Sequence, residues 1–482
     1  MPEEQANIQL EMNFNMPSGN RFRRCLERGV FTVLFEHTAP GMELSDQEAA
    51  RRLAELEKQL LGCKDMPVAL ALTDRNRSDN GRRAVEYAAL LPEKNRNAHL
   101  VYLSGRNTSP EGMRSLIAQA VSSNISNLAA VSGESHPGET ARTLSGMEFC
   151  ESVNTLRMMQ NIAAPQPFFP GAAVNGHLNS APALYSSLFK LIKKFNSGAE
   201  FAVTQAGFDM AQLDAVRKYL SWRGYHHPLI ARLMILTPEK VEKIIANAMP
   251  GITISEDFLA ILEKELQFSA SQFEAAQYRR LELQAAGCKL LGYSGIQISG
   301  ADTPSKIAIA TERIARALKE FTTLQQWVDE YKFYMARTDM APADKHFYLF
   351  ENLLSGKTGD TAIPPLTEFT LPEMSFFKRC GDQARRFLFP EADTQEAHER
   401  RWLKKLLAGC RGCQKCRLPK TQFYCPERCP KRLANGICGG VRDNGLCETG
   451  NQPCIHLAIW HAAEKRKLCD SLENDFISSG KD

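Results

Sequence analysis

The sequence predicts an α/β chain: an eight-stranded parallel β/α (TIM) barrel, then a helical connection, then a small cysteine-rich metal-binding domain. Three observations lead there. Eight short apolar runs alternate with amphipathic helical stretches between residues 31 and 299, the count and order of a closed β/α barrel. That alternation stops beyond residue 321, where prolines break the pattern. Eight of the 14 cysteines then crowd between Cys410 and Cys454, which in a reducing compartment indicates metal ligation before disulfides.

The apolar runs are FTVLFE (31–36), PVALALT (67–73), AHLVYL (98–103), NLAAV (127–131), FFPGAAV (168–174), EFAVTQ (200–205), PLIARLMIL (228–236) and KLLGYSGIQIS (289–299). They are rich in Val, Ile, Leu and aromatics, as strands buried on both faces are. The helical stretches between them are 45–61, 109–121, 183–195, 209–220 and 303–321. The first opens on Ser45 with Glu48 three residues on, a capping-box pattern, and the second has Pro110 at its first turn. A doubly wound open sheet would alternate in the same way. No GxGxxG follows an early strand, which disfavours a dinucleotide-binding sheet.

These signals divide the chain into a barrel over 25–325, a helical connection over 326–400 and a cysteine-rich domain over 401–470. Within the connection, 371–389 has the clearest helical pattern, and the end DSLENDFISSGKD is expected to fray. Hydrophobic residues make up 43% of the chain and mean hydropathy is −0.32, which excludes the disordered and membrane classes. No run approaches the ~18 apolar residues of a membrane span. The start, MPEEQANIQLEMNF, lacks a basic segment followed by an apolar one, so a cytoplasmic location is expected. Net charge is only +4, yet Arg401–Cys454 holds eleven Lys/Arg against three Asp/Glu. A basic segment on a mildly acidic body suits an acidic partner.

Barrel chemistry belongs at the C-terminal ends of the strands. Those positions hold Glu36 and His37, then Thr73, Asp74 and Arg75, then Ser132, Gly133 and Glu134, and finally Gln205. Two carboxylates and an amide there make an acid/base and orienting set. The thiols Cys410, Cys413, Cys416, Cys425, Cys429, Cys438, Cys447 and Cys454 suffice for one or two four-ligand sites. CxxCxxC with a later Cys-Pro, at Cys425 or Cys429, is iron–sulfur spacing; a structural zinc site is the alternative. His456 and His461 are expected to be ordinary helix residues. The module lacks a basic stripe interleaved with aromatics, so no nucleic-acid partner is expected.

VLFEHTAP, NAHLVYL, NLAAVSGE, GAAVNGH and GAEFAVTQAGFD, in that order and spacing, resemble the barrel of the methylenetetrahydrofolate reductase family over about residues 25–325. The resemblance implies a flavin, FAD or FMN, across the top of the barrel. It implies hydride transfer from a reduced nicotinamide to the methylene carbon of 5,10-methylenetetrahydrofolate. Glu36 matches the glutamate that assists opening of the folate ring, a task suited to a carboxylic acid kept protonated by partial desolvation. Gln205 matches a folate contact, and Glu134 takes the place of an aspartate near folate and flavin. Flavin contacts carry over to Thr73, His99, Ser132, Gly133, Ala172, His177 and Lys194. The chain departs from the family in several places. Ser132 replaces an arginine, Glu134 lengthens an aspartate, Ser187 replaces an acidic residue, ARLMILTPEK replaces a Pro- and Gly-bearing strand end, and QISGADTP lacks an expected arginine.

CPERCPKRLANGICGGVRDNGLCETGNQPCIHLAIWHAA resembles the cysteine-rich C-terminal domain of some reductase-related proteins, and the subunit that accompanies the reductase in acetogenic bacteria. This implies iron–sulfur or zinc binding and electron transfer to the flavin. The expected partners are a folate substrate, NAD(P)H or a ferredoxin-like donor, and a larger redox complex. The departures also fit a second expectation, an altered barrel acting as a partner or electron-transfer subunit.

Overall fold

The computed structural model describes residues 19–74, 81–164, 167–178, 180–335, 402, 405, 409–413, 416–442 and 444–478. The N-terminal segment considered above, Arg75, most of the 326–400 connection and its expected helix at 371–389 lie outside the described residues.

Eight strands, β1 (Thr32–Thr38), β2 (Val68–Thr73), β3 (Leu100–Ser104), β4 (Asn127–Val131), β5 (Phe169–Val174), β6 (Phe201–Thr204), β7 (Leu229–Met234) and β8 (Gly295–Ser299), form a closed barrel in sequence order. Every pairing is parallel, and β8 closes on β1 with Phe35 opposite Ile298. All eight apolar runs thus become strands. The last one is shorter than its sequence run, because Lys289–Leu291 continue a helix that ends at Gly292 with φ +84°. That backbone conformation suits glycine and stops a helix.

Side chains alternate across each strand. Leu34, Ala69, Ala71, Leu100, Tyr102, Ala129, Phe169, Phe201, Val203 and Ile230 fill the barrel interior. Val33, Phe35, Leu70, Leu72, Val101, Leu103 and Ala172 face the helices. Helix α1 (Arg21–Glu27) adds Phe22 and Leu26 to the interior core. Phe22 meets Phe201 edge-on at 5.5 Å, and Phe201 stacks on Phe169 at 4.8 Å. Gly171 faces the same layer, and a Cβ there would lie 2.3 Å from the Phe201 ring. Gly171→Ala should therefore cost about 1–3 kcal/mol through overpacking, read as a lower urea midpoint at unchanged m-value. A midpoint equal to wild type would show that the ring yields freely.

The outer layer holds α2 (Asp46–Leu61), α3 (Ala84–Ala89), α4 (Pro110–Ser122), α5 (Ser152–Gln160), α6 (Ala181–Asn196) and α7 (Met210–Trp222). Ser45 caps α2, Ser109 caps α4 and Asp209 caps α7, each accepting a first-turn N–H. Three helices, α8 (Pro238–Ile245), α9 (Glu256–Phe268) and α10 (Ala270–Leu290), cross from β7 to β8. After β8 come α11 (Pro304–Glu320) and α12 (Leu324–Met335). Trp327 of α12 is fully buried against Gly287 and donates to the Leu283 carbonyl at 2.7 Å. No helix among the described residues is long and apolar enough to cross a membrane.

The cysteine-rich segment ends in α13 (Ile455–Lys465) and α14 (Cys469–Asn474), which pack on α6. Its end, expected to fray, is anchored as far as it is described, to residue 478. Ile477 is fully buried, its N–H donates to Asn435 Oδ1 at 3.0 Å, and its carbonyl accepts from Asn435 Nδ2 at 2.9 Å. Polarity misled here: one deep apolar anchor holds an otherwise polar end.

Candidate active site at the barrel mouth

Inward-facing positions near the C-terminal strand ends bring Glu36, Gln205, Arg232 and Gln297 together, and Glu134 reaches them from the loop after β4. Arg232 forks onto Glu36, Nε to Oε2 at 2.7 Å and Nη2 to Oε1 at 2.8 Å. Its Nη1 donates to Gln205 Oε1 at 2.7 Å. Gln297 Nε2 donates to Glu36 Oε2 at 2.9 Å, and Tyr102 donates to Gln297 Oε1 at 2.7 Å. Gln205 Nε2 in turn donates to Glu134 Oε1 at 3.2 Å. The three residues expected to act on substrate are thus brought together around an arginine that sequence reasoning did not name. The Glu36 carboxyl group thus accepts three hydrogen bonds, two from Arg232 and one from Gln297.

Glu134 differs. The residue is exposed to solvent at the barrel mouth. Desolvation raises its pKa, against the lowering influence of Arg232, Gln205 and Lys431. The arginine missing at Ser132 has a spatial counterpart: Arg106, from the end of β3, donates to the Glu134 carbonyl at 2.9 Å and pairs with Glu139. Gly133 has φ +86°, and a Cβ there would lie 2.4 Å from Arg106 Cβ.

The expected flavin contacts divide. Thr73, Ser132 and Gly133 lie at the mouth; Thr73 Oγ1 meets Thr38 Oγ1 at 3.2 Å, and Ser132 Oγ accepts from the Ser152 N–H at 3.1 Å. His177 follows β5. Neither of its buried ring nitrogens makes a well-aligned hydrogen bond among the described residues, and burial pushes its pKa down to about 4 against the raising influence of Gln212. The other three lie apart. His99 precedes β3 at the opposite end of the barrel, where Nδ1 accepts from the Leu70 N–H at 3.1 Å and Nε2 meets Glu57 at 3.2 Å. Ala172 faces the helix layer. Lys194 is buried rather than solvated; it donates to the Ala173 carbonyl, and burial and Lys190 push its pKa down to about 7. At two other strand ends, Asp74 accepts the Ala84 N–H at 2.6 Å and His37 Nε2 meets the Tyr87 hydroxyl at 3.2 Å.

The cysteine-rich module sits against the same mouth. Lys431, buried with Glu448 as its ion-pair partner, donates to the Gly133 carbonyl at 2.8 Å. Asn175, just after β5, donates to the Gly439 carbonyl at 2.8 Å. Glu151, just before the first residue of α5, accepts from the Ala434 N–H at 2.9 Å and from Asn435 Nδ2 at 3.0 Å, and it pairs with Lys190 at 2.7 Å.

The thiols fall into two sets by their influence on one another. Burial pushes Cys425 up to about 11, with Cys410 and Cys413 adding to the rise. Burial also raises Cys413, and Cys416 and Cys410 add to it. Burial pushes Cys429 up to about 12, with further upward influence from Cys454 and Cys447. Cys438 is raised by burial, then by Glu448, Cys454 and Cys429. Cys410, Cys413, Cys416 and Cys425 are thus one neighbourhood, and Cys429, Cys438, Cys447 and Cys454 another. Among the described residues no three His, Cys, Asp or Glu side chains are arranged to hold a single metal ion. His456 is buried on α13.

The methylenetetrahydrofolate reductase family profile matches residues 21–277, and a profile described as the methylene-tetrahydrofolate reductase C terminal matches residues 389–480. Comparison with curated protein sequences gives no significant match. Among solved structures, an uncharacterized protein from Clostridium thermocellum that binds two copies of 5-methyl-5,6,7,8-tetrahydrofolic acid is 15% identical. The match covers 60% of this chain and 97% of that one, with a TM-score of 0.45. A ribulose-1,5-bisphosphate carboxylase/oxygenase from Pyrococcus horikoshii is 12% identical, with 65% of each chain covered and a TM-score of 0.37. With the family profile matching more than half of the chain, from α1 through β7, and a second one its thiol module, the chain belongs to the methylenetetrahydrofolate reductase family.

Proposed function

We propose that the chain reduces 5,10-methylenetetrahydrofolate to 5-methyltetrahydrofolate with a bound flavin, taking electrons from a ferredoxin-like carrier or NAD(P)H. The observation that carries this reading is the convergence of Glu36, Glu134 and Gln205 at the strand ends of a barrel of this family. Thr73, Ser132, Gly133 and His177 would hold the flavin, FAD or FMN. The His177 ring supports that fit: it is buried, and neither of its nitrogens makes a well-aligned hydrogen bond among the described residues, Gln212 being its polar neighbour. The flavin would supply hydride to the methylene carbon.

The chain's own residues do the rest. Gln205, fixed by Arg232 and the Ala206 N–H, presents its amide to the pterin. The module covers the β4 and β5 rim through Lys431 and Gly439, which limits water at the reacting centre. The two thiol sets support iron–sulfur ligation over zinc. Thiolates that bind different irons of one cluster need not converge on one point, as those around a single ion must. Clusters there would supply one-electron transfer.

The test is anaerobic purification followed by a visible spectrum, metal analysis and an assay of methyltetrahydrofolate oxidation with an artificial acceptor. Flavin bands and turnover are expected, together with about a hundredfold or greater loss when Gln205→Leu removes the orienting amide. A flavin-free protein without turnover would overturn the reading. It would favour the alternative role as a partner or electron-transfer subunit, to which the engagement of Glu36 by Arg232 also points.

A further inference from the structure

Strand β7 reads LIARLM, and its inward positions are Ile230, Arg232 and Met234. A charge placed there must find partners or be expelled. Arg232 finds Glu36 and Gln205, and Gln297 completes the shell of Glu36. Both oxygens of Glu36 are thereby committed. Glu134 keeps a freer carboxyl: among the described residues it accepts a single hydrogen bond, from Gln205 Nε2, and it is exposed at the barrel mouth.

We propose that Glu134 donates the proton for opening of the folate ring, and that Arg232 is the positioning residue that keeps Glu36 as a fixed counter-charge instead. This rests on the folate reading above. In the step, the bond between the methylene carbon and the departing nitrogen breaks and its electron pair goes to that nitrogen. The nitrogen takes the proton from the Glu134 carboxyl, leaving a carboxylate. The remaining ring nitrogen shares its lone pair with the methylene carbon to give the iminium cation. No oxidant or reductant enters.

The groups that face Glu134 are Gln205 on β6, Arg232 on β7, and Lys431 and Glu448 on the module, while Arg106 holds its backbone carbonyl. Arg232 and Lys431 favour the carboxylate; burial and Glu448 favour the acid, and the net direction is upward. Since the acid form is the active one, kcat should fall as pH rises through the pKa of Glu134.

Two readouts test this. In steady-state kinetics with 5,10-methylenetetrahydrofolate, Glu134→Gln should lower kcat about a hundredfold or more, with KM little changed and the alkaline limb abolished. Glu134→Asp should restore part of the rate with a displaced limb. Glu36→Gln should keep that limb. Infrared difference spectra across the same pH range need no turnover. They should show a protonated-carboxyl band that vanishes in Glu134→Gln and persists in Glu36→Gln. Arg232→Leu should add a second such band, absent from Arg232→Leu with Glu36→Gln. A band that vanishes with Glu36→Gln and survives Glu134→Gln would overturn the proposal. If the wild-type chain shows the band assigned to Glu134 but no folate turnover, the folate reading fails while the assignment of the proton stands.

Discussion

Replacing Glu151 by Gln should release the thiol module from the barrel while leaving the barrel folded. Glu151 is 3% exposed and ties the two parts together through Ala434, Asn435 and Lys190. Removing its charge leaves Lys190, itself 4% exposed, without its ion-pair partner. Breaking one side of a buried pair typically costs about 3–5 kcal/mol, far more than an exposed pair is worth. The change should appear as lost hydrogen-exchange protection at Ala434 and Asn435, with protection in β1–β8 retained. Equal protection in wild type and variant would show that apolar packing alone holds the module.

The same pair has a pH signature. Burial opposes ionisation of Glu151, but Lys190 and the Ala434 N–H outweigh it and hold the carboxyl down at about 2, against an ordinary 4.5. A depressed acid contributes its stabilisation fully above its unfolded value and loses it as pH falls toward the folded one. Docking in wild type should therefore weaken between about pH 4.5 and 2. The Glu151→Gln variant should show no such dependence from this site.

The second large effect concerns the thiols. With metal bound at both thiol sets as proposed, Cys438→Ser should empty one set and spare the other, and Cys413→Ser should do the reverse. Ligation in such small modules is coupled to folding, with apparent binding free energies of ~10–16 kcal/mol for structural zinc in peptides. Each loss should therefore unfold its own part of the module. The two variants should differ at the barrel. Cys438 adjoins Gly439, which accepts from Asn175, whereas Cys413 belongs to the set without a described bond to the strand ends. Only Cys438→Ser should raise hydrogen exchange at Asn175 and Gly133. Metal analysis showing that either substitution empties both sets would mean a single shared site.

Much of this was legible from residue order. The eight strands announced themselves because a β/α barrel buries both faces of every strand, leaving continuous apolar runs such as VALALT. Glu36, Glu134 and Gln205 were legible as strand-end residues because barrel topology fixes where such ends converge. Arg232 was not, although its signal was present: a lone cation at an inward position of a strand otherwise filled by Leu, Ile, Ala and Met. Pairing across the barrel, Glu36 on β1 with Arg232 on β7, depends on shear and closure, which no local pattern encodes. The burial of Lys194 was not legible, because KLIKKF mixes charged and apolar residues. Its burial arises only when the module and β5 cover α6 from two sides. His99 fits the resemblance in sequence but precedes its strand, so a match in register did not translate into a place at the mouth.

Helix α6 bears on both halves of the molecule at once. Lys190 donates to the Gly436 carbonyl of the module at 3.1 Å, and one turn later Lys194 donates to the Ala173 carbonyl of β5. The offset between the thiols and the strand ends is thus set by a rigid rod, at about 1.5 Å of rise per residue, not by a slack tether. Any sliding of the module past the barrel would have to tear the Lys190–Gly436 attachment, while Lys194 holds α6 itself to β5. An insertion of a single residue between positions 190 and 194 would misalign the two halves by a quantised step that no loop could absorb.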